Sequence, residues 1–225
     1  MIIDINNIER YPTVELGEFE INKNKFKSLG SYWNEKSLVP IRGKKIETYR
    51  DLYASFIIHG YIPSTGKVVS AFLEDIKNCT LKNNDLYYNV EIKEQEIKTQ
   101  EFDNFEYIQL YFNCSDVYES EKSIATTNNT TITINSPKSC YANLELTSTT
   151  NVISYTVKIN DTEIVVKNIK GNETVYIGSG KVTAGGKSKI NDVDLWEFPQ
   201  LKPGINNITV NRADVTLKVK YNERW

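Results

Sequence analysis

"WEFPQLKPGINNITVNRADVTLKVKYNERW", residues 196–225, carries more structural signal than any other stretch of this chain. Val215, Leu217, Val219 and Tyr221 alternate with Thr216, Lys218 and Lys220, the period-2 pattern of a strand with one face buried. Before it, Ile208 and Val210 enter a second strand, and Asn211 to Asp214 reads as the turn joining the two into a hairpin. Pro203-Gly204 fits a tight turn, since proline fixes φ and glycine accepts positive φ. Trp196 and Phe198 are expected to pack beneath that turn. Trp225 has two readings: it covers apolar surface as a tail side chain, or it contacts the first domain or a neighbour.

The same pattern extends backwards. Ile132 and Ile134 alternate with threonines. Cys140, Ala142, Leu144 and Leu146 alternate with Tyr141, Asn143 and Glu145, and Ile153, Tyr155, Val157 and Ile159 with Ser154, Thr156 and Lys158. Short one-sided strands separated by turn residues predict an antiparallel β-sandwich over 130–225. "ESEKSIATTNNT", residues 119–129 and Thr130, lacks apolar periodicity and reads as a linker.

Residues 1–118 predict an α+β domain. "TVELGEF" (Thr13–Phe19) alternates loosely, while Asp51–Tyr61 is a strong strand. Val68, Val69, Phe72, Leu73 and Ile76 fall on one helical stripe, predicting a helix over about Gly66–Asn78 capped by Ser64 or Thr65, with Asn78 at its end. Asn83-Asn84-Asp85 joins "CTLK" to a strand whose inner residues are Leu86, Tyr88, Val90 and Ile92. A further strand places Ile108, Leu110 and Phe112 on one face. Between the first strands lies a polar arm, about residues 22–50, whose isolated aromatics Phe26, Tyr32 and Trp33 suit an excursion that docks on another surface.

Composition and motifs argue against chemistry. The formal charge of −2 over 225 residues excludes nucleic-acid binding by bulk electrostatics. No apolar run approaches the roughly 20 residues of a membrane span, and "MIIDINNIER" is not a signal peptide, so a cytoplasmic site of synthesis is expected. Cys79, Cys114 and Cys140 lack metal spacing and read as free thiols. His59, the only histidine, has no triad or metal partners and reads as a strand-surface residue on the Ser55–Ile57 side. Gly186-Lys187-Ser188 ends like a phosphate loop, but Lys181 stands where the motif needs glycine, so the stretch reads as a glycine-rich hairpin. The Glu15, Glu18, Glu20 and Glu91, Glu94, Glu96 groups read as solvated faces. No catalytic, cofactor or metal residues are expected.

The closing stretch resembles the signature of phage distal tail proteins, the hub family of long-tailed phages of Gram-positive hosts. The residues that carry it are Trp196, Phe198, Pro199, Leu201, Pro203, Gly204, Asn206 and Ile208, then Val215 to Tyr221, Arg224 and Trp225. The order of arm, strand, helix, hairpin and strand in residues 1–118 is similar to that family's ring-forming domain. The resemblance implies a mostly β protein with a galectin-like sandwich and a structural role. It implies a hexameric ring at the virion tail tip, assembled in the host cytoplasm of a phage, a prophage or a tail-derived bacteriocin. The implied partners are other copies of the chain, the major tail tube protein, a tail-associated baseplate protein and a receptor-binding protein, with no nucleic acid or membrane. The arm would be the family's belt, with Phe26, Tyr32 and Trp33 at the oligomer interface. The alternative is a carbohydrate- or receptor-binding module on the sandwich; fold alone carries no sugar binding with it.

Overall fold

The computed structural model describes the backbone of residues 1–22, 26–28, 31–32, 41–42, 45–47, 50–60, 62–100 and 105–225, and the side chains of 1–22, 50–60, 65–98 and 105–225. The chain divides into two compact units, Met1–Val117 and Tyr118–Trp225.

The first unit is a six-stranded sheet with one helix. In spatial order the strands are Ile2–Asp4, Asn78–Asn83, Leu86–Gln100, Phe105–Glu119, Arg50–His59 and Val14–Ile21. Ile2–Asp4 pairs parallel with Asn78–Asn83. Leu52, Ala54, Phe56 and Ile58 face the helix, and Phe56 meets Phe72 edge-on with centroids 5.0 Å apart. Tyr11 closes on the other side of Phe72 at 5.5 Å. Each such aromatic pair adds roughly 0.5–1.5 kcal/mol beyond the burial of its area.

The helix spans Ile62–Ile76, starting earlier than its periodicity implied. Pro63 falls in its first turn, where an absent N–H breaks no helical hydrogen bond. Ser64 and Thr65 therefore lie within the helix. Thr65 is buried, and its hydroxyl donates to Glu106 Oε1 at 2.8 Å. Asn78 opens the next strand instead of ending the helix.

Val14–Ile21 alternates loosely because it contains a bulge. Leu16 pairs with Phe56 and Phe19 with Ala54, so three steps on one strand meet two on the other. Leu16 and Phe19 consequently both reach the core. The Glu18 N–H donates to the buried Ser55 hydroxyl at 2.9 Å. A Cβ on Gly17 would lie 2.7 Å from that oxygen, so the bulge needs glycine.

The second unit is an antiparallel sandwich. One sheet orders Thr130–Ile134, Gly204–Val210, Val152–Ile159, Thr162–Ile169 and Val193–Leu195. The other orders Lys122–Thr126, Thr216–Tyr221, Cys140–Thr147, Val175–Gly178, Lys181–Ala184 and Lys187–Ser188, with Gln200–Leu201 also pairing Cys140–Thr147. The stretch read as a linker is thus partly a strand of this unit: Lys122–Thr126 pairs along its length with Thr216–Tyr221. It is an edge strand with no fully buried residue, which explains its missing apolar signal.

Gly204–Val210 and Thr216–Tyr221 lie in different sheets, so residues 211–215 form an arch between layers and not a hairpin. Hairpins and arches share one sequence pattern, since in both each strand buries alternate residues. Ile153 is another departure: it is 84% exposed, while Val152 and Tyr155 are buried. Opposite it Asn168 takes φ +55°, and both strands shift their inward parity at that point. The glycine-rich stretch forms two successive tight turns, with positive φ at Ser179, Gly180, Gly185 and Gly186.

Thr216–Tyr221 is bonded on both sides, to Lys122–Thr126 and to Cys140–Thr147. A chain truncated after Asn211 is expected to lose the calorimetric unfolding transition of the second unit and to keep that of the first. Two retained transitions would show that the sandwich does not depend on this strand.

Candidate assembly site

The closing motif builds the sandwich edge by packing and by hydrogen bonds of the Asn206 side chain. Phe198 packs on the core, and the buried Pro199 accepts a bond from the Ala142 N–H at 2.9 Å. Leu201 is fully buried, in register with Cys140. Gly204 takes φ +90°, as its place after Pro203 required. Asn206 is wholly buried and acts as a clamp. Its Oδ1 accepts the Lys202 N–H and the Asn160 Nδ2–H, both at 2.8 Å. Its Nδ2 donates to the carbonyls of Lys202 at 2.8 Å and Gly204 at 3.0 Å. An amide is the smallest side chain that offers a donor and an acceptor together in this way.

Trp196 does not pack beneath the turn. It is 98% exposed, while Phe198 two residues later takes the inward position. Strand parity accounts for Trp196: Leu195 pairs with Ile164 and leans inward, and Trp196 follows on the outward side; the strand ends at Leu195, so Phe198 is free of that parity.

The last residues are held within their own unit. Glu223 is 1% exposed, and its Oε2 accepts the backbone N–H groups of Asn135 and Ser136, each at 2.9 Å. Its Oε1 accepts from Lys122 Nζ at 2.7 Å, and Lys122 also reaches Glu119 at 2.7 Å. Burial alone would raise the Glu223 carboxyl, but Lys122 and the two N–H groups outweigh it and hold it below the ordinary value. Arg224 bridges in backbone register to Tyr118 and Lys138. Trp225 keeps 37% exposure and donates its indole N–H to Glu119 at 2.9 Å. Glu223 shows no periodic or motif signal in the sequence; only a lone carboxylate after an apolar strand marks it.

Phe26 lies in strand Phe26–Ser28, opposite Glu47, and Tyr32 in strand Ser31–Tyr32, opposite Ile41. Their side chains, and all of Trp33, lie outside the described residues. The structure instead brings forward a surface on the first unit. On the sheet face away from the helix, the Tyr53 and Tyr111 rings stand 5.2 Å apart. Gln109 donates to the Tyr53 hydroxyl at 2.8 Å, and Lys98 to Gln109 at 3.2 Å. His59 sits at the end of this face against Glu15 at 3.0 Å, both exposed. The signal was present: Tyr107, Gln109 and Tyr111 occupy the outward parity of a strand whose inward parity is Ile108, Leu110 and Phe112, so both faces are rich in large side chains.

All three cysteines are buried and outside any disulfide, and burial pushes the Cys79 thiol to about 12 and Cys140 to about 11. At neutral pH Cys79 and Cys140 are unreactive filling. Among the described residues, no group of three or more His, Cys, Asp or Glu is placed to hold a metal ion, and no helix is long and apolar enough to cross a membrane.

Residues 135–225 match the family model of the siphovirus-type tail component, C-terminal domain. No curated protein matches the chain. Among solved structures, the fold is similar to that of phage SPP1 Dit (gp 19.1), described as a paradigm of the hub adsorption apparatus in phages infecting Gram-positive bacteria. That match has a TM-score of 0.75 at 11% identity and covers 95% of this chain and 94% of the other. It is also similar to chains of the phage P2 baseplate in its activated conformation. With Ca the TM-score is 0.54 at 11% identity, covering 96% and 92% of the two chains; with Sr it is 0.53 at 12% identity, with the same coverage. Residues 135–225 thus carry the C-terminal domain of a siphovirus-type tail component, and the fold of the chain is similar to that of a phage hub protein.

Two outcomes test the closing motif. Asn206→Asp removes the donor and places a carboxylate against two carbonyls, so a loss of about 2–4 kcal/mol is expected in urea unfolding, from more than one buried group left unpaired. For Glu223, the folded carboxyl titrates below the ordinary 4.5, so its contribution is complete above that value and is lost as pH falls through the folded one. The Tm of the second unit should therefore drop between neutral pH and about pH 3. Glu223→Gln should lower the Tm at neutral pH and flatten this dependence; an unchanged slope would remove Glu223 from the account.

Proposed function

We propose that this protein is the hub of a siphovirus-type tail tip, a structural component that assembles through its first unit into a hexameric ring. The observation that carries this reading is the likeness to SPP1 Dit over both units and nearly the full length of each chain, joined to the family match of residues 135–225. In this reading the ring joins the tail tube protein on one side to a tail-associated baseplate protein on the other, with a receptor-binding protein as a further partner. It is assembled in the host cytoplasm and ends at the tip of the virion tail.

A closed ring needs two different patches that meet on neighbouring copies. The tyrosine-rich sheet face around Tyr53, Tyr107 and Tyr111 supports one patch, because tyrosine offers large contact area and a polar tip together. The arm with Phe26, Tyr32 and Trp33 is the proposed second patch. The role is architectural: the cysteines are buried, and Glu15, Glu18, Glu20, Glu91, Glu94 and Glu96 are exposed.

The test is assembly. Six copies of 25.8 kDa give about 155 kDa, measurable by light scattering, and six-fold rings should be visible by negative-stain microscopy. Tyr53→Thr with Tyr111→Thr should shift the mass towards the monomer while keeping a cooperative unfolding transition. A wild-type chain that stays monomeric alone and with its tail tube protein would overturn the reading.

A further inference from the structure

One feature of the sandwich adds nothing to its core. Trp196 projects from the surface with 98% of its area in water, the most exposed large apolar side chain in the described structure. Burying an indole recovers roughly 25 cal/mol per Å² of apolar surface, so an unsupported tryptophan in water is a standing gain for any ligand that covers it. Beside it opens a cleft of about 430 Å³, in the size range of small-ligand sites. Asp161, Glu163, Glu197, Gln200 and Lys202 line the cleft with it.

The cleft is rigid where it should be and unspent where it should be. Its floor is the Asn160 turn, tied to the buried Asn206 at 2.8 Å and to the Asn207 N–H at 2.9 Å. The same Asn206 holds both ends of the Lys202–Gly204 turn that forms the far wall. Glu197 is steadied by the Thr162 hydroxyl, which donates to its Oε1 at 3.2 Å. The side chains of Asp161, Glu163, Gln200 and Lys202 make no bond to any described residue. The rim thus presents oriented acceptors and donors around one aromatic surface, on a scaffold already fixed before any ligand arrives.

We propose that this cleft is a binding site for a neutral saccharide, with Trp196 as its stacking platform and the Asp161, Glu163 and Gln200 side chains as its hydroxyl partners. The chemistry favours this class for three reasons. The C–H face of a pyranose ring is apolar and flat, and lies on an indole by dispersion contact. Carboxylates and amides accept and orient sugar hydroxyls, and hydrogen bonds to a charged acceptor are the stronger kind. Three carboxylates against the single ammonium of Lys202 leave a local negative balance, which selects against phosphorylated or uronic-acid glycans. The site is independent of the hub reading, since a ring presenting it would gain weak saccharide contacts repeated on every copy.

The test uses the full-length protein and an array of neutral oligosaccharides built from glucose, galactose and N-acetylhexosamines, followed by calorimetric titration of any binder. Saturable binding is expected, weakened at least ten-fold in Trp196→Ala and clearly in Asp161→Asn. Both variants should keep the wild-type Tm and assembly mass. Ile153→Ala, which changes another exposed apolar side chain outside the cleft, should bind as the wild type does. Absence of saturable binding to every neutral saccharide overturns the proposal, as does binding that Trp196→Ala leaves intact or a preference for anionic glycans. If Trp196→Ala instead abolishes assembly, the tryptophan belongs to a protein interface and the saccharide site is refuted. A failed hub reading would show separately, as a wild-type protein that does not form rings.

Discussion

The second unit depends on one constraint: Thr216–Tyr221 must sit between two strands that come from far earlier in the chain. Lys122–Thr126 lies on one side and Cys140–Thr147 on the other. Its inward residues Leu217 and Val219 are fully buried, and Tyr221 nearly so, at the centre of the core. The buried Glu223 then locks the strand to both earlier segments at once, through Lys122 and through the N–H groups of Asn135 and Ser136. A buried carboxylate is costly to desolvate, and here the cost is met by one ammonium and two backbone donors. The pair is better understood as fixing register than as adding stability, because a slip by one residue would leave the carboxylate unpaired.

The motif residues fall into two physical groups. Phe198, Pro199, Leu201 and Asn206 are inward and serve the fold: three fill space and one satisfies backbone groups that no strand partner reaches. Trp196 points into solvent and serves nothing inside the unit. A recurring sequence signature can therefore combine residues held by packing with residues held by an external contact. Burial and hydrogen bonding separate them, and sequence position does not.

Much of the architecture was legible. Period-2 alternation marked the sandwich strands because each has one wet face, and the Phe72 stripe marked the helix because one side is dry. The Ser179-Gly180 and Gly185-Gly186 turns were readable because positive φ selects their residues. What was not legible has physical causes. An arch and a hairpin bury the same alternate residues, so the crossing at 211–215 left no trace. Lys122–Thr126 looked like linker because an edge strand buries little, with only Ile124 leaning on the core. Ile153 and Trp196 depart from the pattern because inward parity shifts at Asn168, whose φ is positive, and because the edge strand ends at Leu195. The tyrosine face was overlooked because tyrosine is favoured in strands for either face, and the pattern alone does not separate propensity from function.

The central place of Thr216–Tyr221 also sets an order in time. Chains are made from the amino terminus, and every neighbour of this strand is synthesised before it. Until Tyr221 leaves the ribosome, the flanking strands Lys122–Thr126 and Cys140–Thr147 have open edges facing each other across a vacant slot. The first unit, complete by Val117, has no such wait. Translation therefore delivers every strand of the first unit while the second still lacks a central one, and the backbone groups that Thr216–Tyr221 pairs stay open until it arrives.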